Sequence, residues 1–220
     1  MTSRNGAGAR ARLVAHAQRL VPDDLAVGTS GNLSVRLGDE ILITPGGMPY
    51  DGMTPADIVR IDERGAPADP RRRPSSELPM HRLAYEVSGA GAVVHTHSSY
   101  ATAVACALDE LPAVHYLLAA VGGTVPVVPY ATFGSDELAH HMARGLAGRR
   151  AVLLGNHGVL TVGATLEEAY GHAVTVEWCA ALYHRASQLG SPRILDDAEI
   201  EHVGERFRSL GYLAHQQGER

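Results

Sequence analysis

Leu13, Val14, Ala17, Leu20 and Val21 recur on one face of a 3.6-residue period, which predicts a helix over residues 10–21 ending before Pro22. Residues 1–9 are expected to be disordered. The turn-rich stretch Gly28-Thr-Ser-Gly-Asn32 leads into Ser34–Leu37, and Gly38-Asp39 separates that run from Ile41–Ile43, the pattern of an antiparallel hairpin. Thr54 before Pro55 reads as an N-cap with proline at the first helical position, followed by extended Ile58–Ile61. Ser76 is placed to cap a helix running to about Val87, with Glu77, His81 and Tyr85 at four-residue spacing on one face. Ala92–His97 reads as a strand, and helices are predicted over about 99–107, 112–120, 135–147 and 165–189, the last opened by a Thr165-x-x-Glu168 capping box. Thr124–Val128 and Ala151–Leu154 are strand-like, and Gly155-Asn-His-Gly158 is a tight turn into Val159–Val162. Without internal repeats, these elements predict a single α/β domain over 1–220 whose sheet is largely antiparallel and flanked by helices.

Composition narrows the options without choosing a function. Hydrophobic residues make up 45% and charged residues 20% of the 220, a balance that supports a folded core rather than disorder. With 19 Lys and Arg against 24 Asp and Glu, the net charge of -5 supplies no global field for nucleic acid or an anionic membrane. An anionic substrate has to be captured locally. The N-terminal segment lacks a secretory apolar core, and no run of about 18 apolar residues occurs, so the chain is expected to be cytoplasmic. Cys106 and Cys179 sit far apart in apolar runs and read as reduced core thiols.

The chemistry concentrates in a few segments. His95 and His97 on a strand project from the same face and can share one ion, or can be a paired surface or core feature. His157, in a glycine-flanked turn, adds a third imidazole. Three imidazoles with an open position suit catalytic zinc, whereas a closed thiolate site would need more cysteines than two distant ones. Glu77, at the start of a helix, is either the acid or base of such a site or an ordinary helix-start glutamate. Thr29-Ser-Gly-Asn32 can form an anion nest, and Ser75-Ser76 lies at a helix N-terminus. Thr44-Pro-Gly-Gly47 is either a third phosphate wall or a simple turn. Arg71-Arg-Arg73 reads better as a solvated basic turn than as a phosphate contact. The sequence contains no lysine, which excludes a Schiff-base aldolase mechanism within this chain.

Taken together, Gly28-Thr-Ser-Gly-Asn-Leu-Ser34, Ile43-Thr-Pro-Gly-Gly47, Ser75-Ser-Glu77 with His81, Val94-His-Thr-His97, His115-Tyr116, Pro129-Tyr-Ala-Thr-Phe-Gly134 and Asn156-His-Gly158 resemble the class II aldolase and adducin family, typified by L-fuculose-1-phosphate aldolase, in the same order from residue 10 to about 190. The resemblance implies a three-layer α/β/α sandwich around a mostly antiparallel sheet, assembled as a homotetramer with shared active sites. It implies zinc on His95, His97 and His157, with Glu77 touching the resting metal and then acting as acid/base. Thr29, Asn32, Gly47, Ser75 and Ser76 match phosphate-pocket positions, and Tyr116 matches a tyrosine contributed by a neighbouring subunit. The implied reaction is reversible cleavage of a ketose 1-phosphate, such as L-fuculose 1-phosphate, to dihydroxyacetone phosphate and a short aldehyde such as L-lactaldehyde. Within the same scaffold the alternatives are a 5-deoxyribulose-1-phosphate aldolase, an L-ribulose-5-phosphate 4-epimerase, a methylthioribulose-1-phosphate dehydratase and a non-catalytic adducin-like scaffold. Epimerases of the family carry Asp where Glu77 stands, which favours cleavage. Gly46 departs from the Ser or Thr of many relatives, and Leu210 occupies the place of the aldolase tail tyrosine, with Tyr212 close by.

Overall fold

In a computed structural model the backbone is described over residues 2–212 and side chains over residues 6–212. Eight strands, β1 (Asn32–Leu37), β2 (Glu40–Ile43), β3 (Val59–Ile61), β4 (Ala92–Thr96), β5 (Glu110–Leu111), β6 (Val125–Val128), β7 (Ala151–Leu154) and β8 (Gly158–Gly163), form one sheet. Their order is β3-β2-β1-β4-β8-β7-β6-β5. All neighbours run antiparallel except β6 and β7, which are parallel. The helices are α1 (Thr2–Ala17), α2 (Leu78–Ser88), α3 (Ser99–Ala107), α4 (Asp136–Leu146), α5 (Leu166–Leu189) and α6 (Asp197–Ser209).

Strand alternation sorts these helices into two layers. On β4, Ala92 and Val94 pack with Leu13 and Ala17 of α1 and with Leu166 and Ala173 of α5. Val93 points the other way, into a cluster with Met80 and Ala84 of α2 and Leu138 and Met142 of α4. At the β6–β7 end, Val125 and Leu153 pack against Ala101 and Val104 of α3 and Val176 and Cys179 of α5. The result is an α/β/α sandwich, as expected. Because the period is two, His95 continues the face of Val93, so the sheet chemistry opens on the α2 side.

Several local expectations are corrected. Residues 2–9, expected to be disordered, are the first part of α1; Ala9 is buried in the core, and the helix ends at Ala17 rather than at residue 21. The helix expected over 112–120 is instead a loop from Pro112 to His115, which follows the short edge strand β5, and then a 3₁₀ helix at Tyr116–Val121, opened by His115, whose ring accepts from the Leu117 N–H. Thr54 does not cap: Asp57 accepts hydrogen bonds from both its N–H and its hydroxyl within a turn. Cys106 is exposed, and Cys179 alone is a core thiol. Thr165 caps α5 as expected, accepting from the Glu168 N–H, but Glu168 accepts from the Ala164 N–H one residue before the cap instead of closing the box on Thr165. Arg71 and Arg72 pair with Asp69 and Asp57 on the surface, in line with a solvated turn.

Candidate metal centre and active site

Three segments far apart in sequence meet above the α2 face of β4. His95 and His97 extend the alternation of Val93, and Asn32 of β1 sits directly opposite His95 in register. β8 pairs on the other side of β4, with Leu160 opposite His95 and Val159 opposite Thr96. Gly158 makes that approach possible: a Cβ there would lie 2.3 Å from the Thr96 carbonyl and 3.4 Å from His95 Cε1. The turn before it, with Asn156 in the left-handed region at φ 53°, swings His157 over the strand end. Glu77 arrives at the mouth of α2. Ser76 was expected to cap that helix, but the N-cap position is occupied by Glu77, whose side chain makes no capping bond and is left to face the histidines.

The four side chains converge. Glu77 Oε2 lies 3.2 Å from His95 Nε2, and Glu77 Oε1 lies 3.3 Å from His157 Nε2. His95 Nε2 and His97 Nε2 are 3.0 Å apart. The ligand atoms of all four residues lie within 4.8 Å of one another. His95 Nδ1 is hydrogen-bonded to the Val159 carbonyl at 2.9 Å, an anchor that orients the ring so that Nε2 faces the centre. Glu77 Oε1 is buried without a hydrogen-bond partner. An orphaned carboxylate oxygen ringed by imidazole nitrogens is costly unless a cation completes it, and three nitrogens plus one oxygen is a donor set suited to a catalytic divalent metal. The residues fit such an ion.

Electrostatics agree with that use. Burial lowers the pKa of His97 to about 3 and of His157 to about 4, with His95 adding to both shifts, so their lone pairs are available at neutral pH. Burial also acts to lower His95, but the Glu77 carboxylate and the Val159 carbonyl overcome it and raise its pKa. For Glu77, burial acts upward; the charge and hydrogen bond of His95, the Asn32 amide and His157 together outweigh it and hold the carboxyl well below its ordinary range. The site therefore presents an anion and at least two neutral imidazoles.

A cavity of about 220 Å³ opens beside these residues. Its lining brings Thr29, Asn32, Gly47, Ser75 and Ser76 together with Glu77, His97 and His157. Gly31 and Gly47 adopt positive φ of 85° and 69°, conformations of the kind that turn successive amides toward one side. Among the described residues no arginine lines this space, and the donors they offer there are neutral. Tyr116 is not among the lining residues; its ring is half-exposed against His115 and Phe207. Just beyond α6, Tyr212 packs against Phe207 with the two rings tilted by 60°. Sequence reasoning missed Tyr50, whose hydroxyl donates to the Ser30 and Gly31 carbonyls at 2.8 and 2.7 Å and braces the Thr29–Asn32 loop. Phe133, quoted in the sequence only within the Pro129–Gly134 segment and given no role there, stands on the cavity wall.

Comparison with known proteins gives a consistent result. Residues 11–184 match the family model described as class II aldolase and adducin N-terminal domain. A 5-methylthioribulose-1-phosphate/5-deoxyribulose-1-phosphate aldolase of Rhodospirillum rubrum is 43% identical over 90% of this chain and 90% of its own. An L-fuculose phosphate aldolase of Escherichia coli K12 is 43% identical over 84% of this chain and 86% of its own. Among solved structures, an L-fuculose 1-phosphate aldolase superposes with a TM-score of 0.88 at 40% identity, covering 91% of this chain and 96% of that one.

Proposed function

The chain belongs to the class II aldolase and adducin family and is an aldehyde-lyase, and we propose that it uses zinc to cleave a ketose 1-phosphate reversibly to dihydroxyacetone phosphate and a short aldehyde. The observation that carries this reading is the placement of the Glu77, His95, His97 and His157 cluster against a cavity walled by Thr29, Gly47, Ser75 and Ser76. The hydroxyls and amides of that wall hold the phosphate without a cation, as oriented amides and helix starts can. His95, His97 and His157, with Glu77 in the resting state, hold the metal, which supplies Lewis-acid polarisation of the ketose carbonyl. Tyr116, reaching in from the adjacent subunit of a homotetramer, takes the proton of the hydroxyl on the carbon that becomes the aldehyde. As the neighbouring carbon–carbon bond breaks, Glu77, which takes up a proton from solvent once displaced from its resting position, gives that proton to the terminal carbon of the three-carbon fragment; dihydroxyacetone phosphate leaves and Tyr116 returns to solvent the proton it took, so one proton is taken up and one released. Synthesis runs in reverse. No helix among the described residues is long and apolar enough to cross a membrane, which accords with a cytoplasmic enzyme.

Two substrates stand in front. L-fuculose 1-phosphate yields L-lactaldehyde; 5-deoxyribulose 1-phosphate is favoured by the longer match to the Rhodospirillum rubrum enzyme and by a 37% identical 5-deoxy-D-ribulose 1-phosphate aldolase of Bacillus thuringiensis that covers 92% of this chain. Turnover of a panel of ketose 1-phosphates by zinc-loaded protein, read as dihydroxyacetone phosphate release, tests the proposal and ranks the two. Conversion of L-ribulose 5-phosphate without chain cleavage, or loss of water from methylthioribulose 1-phosphate, refutes it.

A further inference from the structure

β1 and α2 are joined beneath the cavity by a line of buried polar side chains. Asn32 and Ser34 are alternate residues of β1 and share its α2-facing side. On α2, His81 and Tyr85 follow Glu77 at four-residue intervals, and both are buried. Asn32 Nδ2 donates to Glu77 Oε2 at 2.7 Å, and His81 Nε2 meets Asn32 Oδ1. Ser34 Oγ lies 2.7 Å from His81 Nδ1 and 2.6 Å from the Tyr85 hydroxyl.

What each group can donate fixes the direction of every link. The Glu77 carboxylate only accepts, so Asn32 turns its NH₂ to it and its Oδ1 to His81. That oxygen also only accepts, so His81 carries its hydrogen on Nε2. Burial keeps His81 neutral, its pKa pushed down to about 3, which leaves Nδ1 bare to accept the Ser34 hydroxyl hydrogen. Ser34 then has only a lone pair for Tyr85, whose O–H donates to it. Only one arrangement of hydrogens satisfies all the links.

We propose that His81 is a positioning residue for the reaction: by donating from Nε2 it locks the Asn32 amide, and through it Glu77, in the working orientation. The proposal rests on the role given above to Glu77 as proton carrier. A rotated Asn32 would set its carbonyl oxygen against the Glu77 carboxylate. Because Asn32 also lines the cavity, the same rotation would turn an acceptor toward the substrate phosphate, so one misplaced amide opposes both proton transfer and binding.

Two measurements test this. Nitrogen NMR of metal-free protein labelled on histidine should show His81 as the Nε2–H tautomer, identified by loss of its signals in His81→Gln; the Nδ1–H tautomer overturns the proposal. In turnover, His81→Leu should lower kcat on the order of a hundredfold, in the range seen when one preorganised donor is removed, while it still melts cooperatively and takes up zinc. His81→Gln, which can place an amide N–H where Nε2 stood, should recover most of that loss. Wild-type turnover in His81→Leu, or equal loss in both variants, overturns the proposal. Should His81→Leu fail to fold, His81→Met replaces it under the same criteria: a comparable loss of kcat with zinc retained is expected, and wild-type turnover overturns the proposal. If the wild-type protein cleaves no ketose 1-phosphate, the substrate reading fails separately, and the tautomer still decides the direction of the chain.

Discussion

Replacing Glu77 with glutamine tests the centre at the point where its two duties meet. The Asn32 amide at 2.7 Å from Oε2 requires an acceptor there, so the glutamine oxygen takes that position and its NH₂ falls where Oε1 stood, 3.3 Å from His157 Nε2. The variant therefore cannot carry the proton, and its amide competes for the lone pair of one ligand. Loss of a positioned acid or base costs about 10²- to 10⁴-fold in rate, or roughly 3 to 5 kcal/mol of transition-state stabilisation. Metal binding suffers less, because three imidazoles remain, and zinc should stay stoichiometric at saturating concentration with a weaker Kd. Metal content by mass spectrometry after gel filtration, paired with an assay coupled to dihydroxyacetone phosphate, separates the two effects. A zinc-loaded variant that turns over within about tenfold of wild type would show that Glu77 is not the proton carrier. Full recovery of rate with excess zinc would reduce it to a ligand.

Gly158→Ala pushes a methyl group into the Thr96 carbonyl and His95, and overpacking of that kind costs about 1–3 kcal/mol or more, so the melting temperature should drop and metal affinity fall with it; a melt that overlays wild type contradicts the packing described. Gly46→Ser should be tolerated, since its Cβ would sit 3.4 Å from the Pro74 carbonyl and 3.5 Å from Ser75 Cα. A serine hydroxyl adds a phosphate donor worth about 1 kcal/mol, so KM should fall roughly fivefold; a raised KM argues against phosphate at this wall. In metal-free protein, His81 protonates near pH 3 when folded but near its ordinary 6.5 when unfolded. Below 6.5 the unfolded chain thus binds the extra proton, and stability falls with decreasing pH by up to ~1.4 kcal/mol per unit from this group. His81→Gln should flatten the melting curve plotted from about pH 7 to about pH 5, and parallel curves would show that His81 is not a source of that slope.

Much of the centre was legible because its parts obey short periods. His95 and His97 are two apart on a strand, so their common face followed from alternation alone; the change between strand and helix periods gave an α/β domain with helices flanking a largely antiparallel sheet, and the three-layer order came with the family resemblance. Glu77 was found for a reason only half right: its place at the start of a helix mattered, but the structure uses it as the N-cap residue rather than inside the first turn. The buried chain through Asn32, Ser34, His81 and Tyr85 was visible only as two separate patterns, a two-residue step on β1 and a four-residue step on α2. Nothing local says that those two stripes face each other. α6 escaped although Asp196 caps it through the Glu199 N–H and Ile200, Val203 and Phe207 form its apolar stripe. The 112–120 region misled because its apolar residues suit either kind of helix, and the choice of 3₁₀ lies in the contacts around Pro112 and His115, whose ring accepts from the Leu117 N–H.

The ligands reach the centre from the mouth of α2, from β4 and from the turn that enters β8, and the pairing of Thr96 with Val159 closes a loop of more than sixty residues before His157 can join His95. A nascent chain emerging in order holds Glu77, His95 and His97 long before the fourth ligand exists. Tight metal capture is therefore a completion signal: the ion is retained in full only once the slow, long-range strand pairing has been made. The rate at which protein refolding with cobalt(II) in place of zinc gains the metal's visible absorbance should then match formation of the β4–β8 pair rather than the faster appearance of helix.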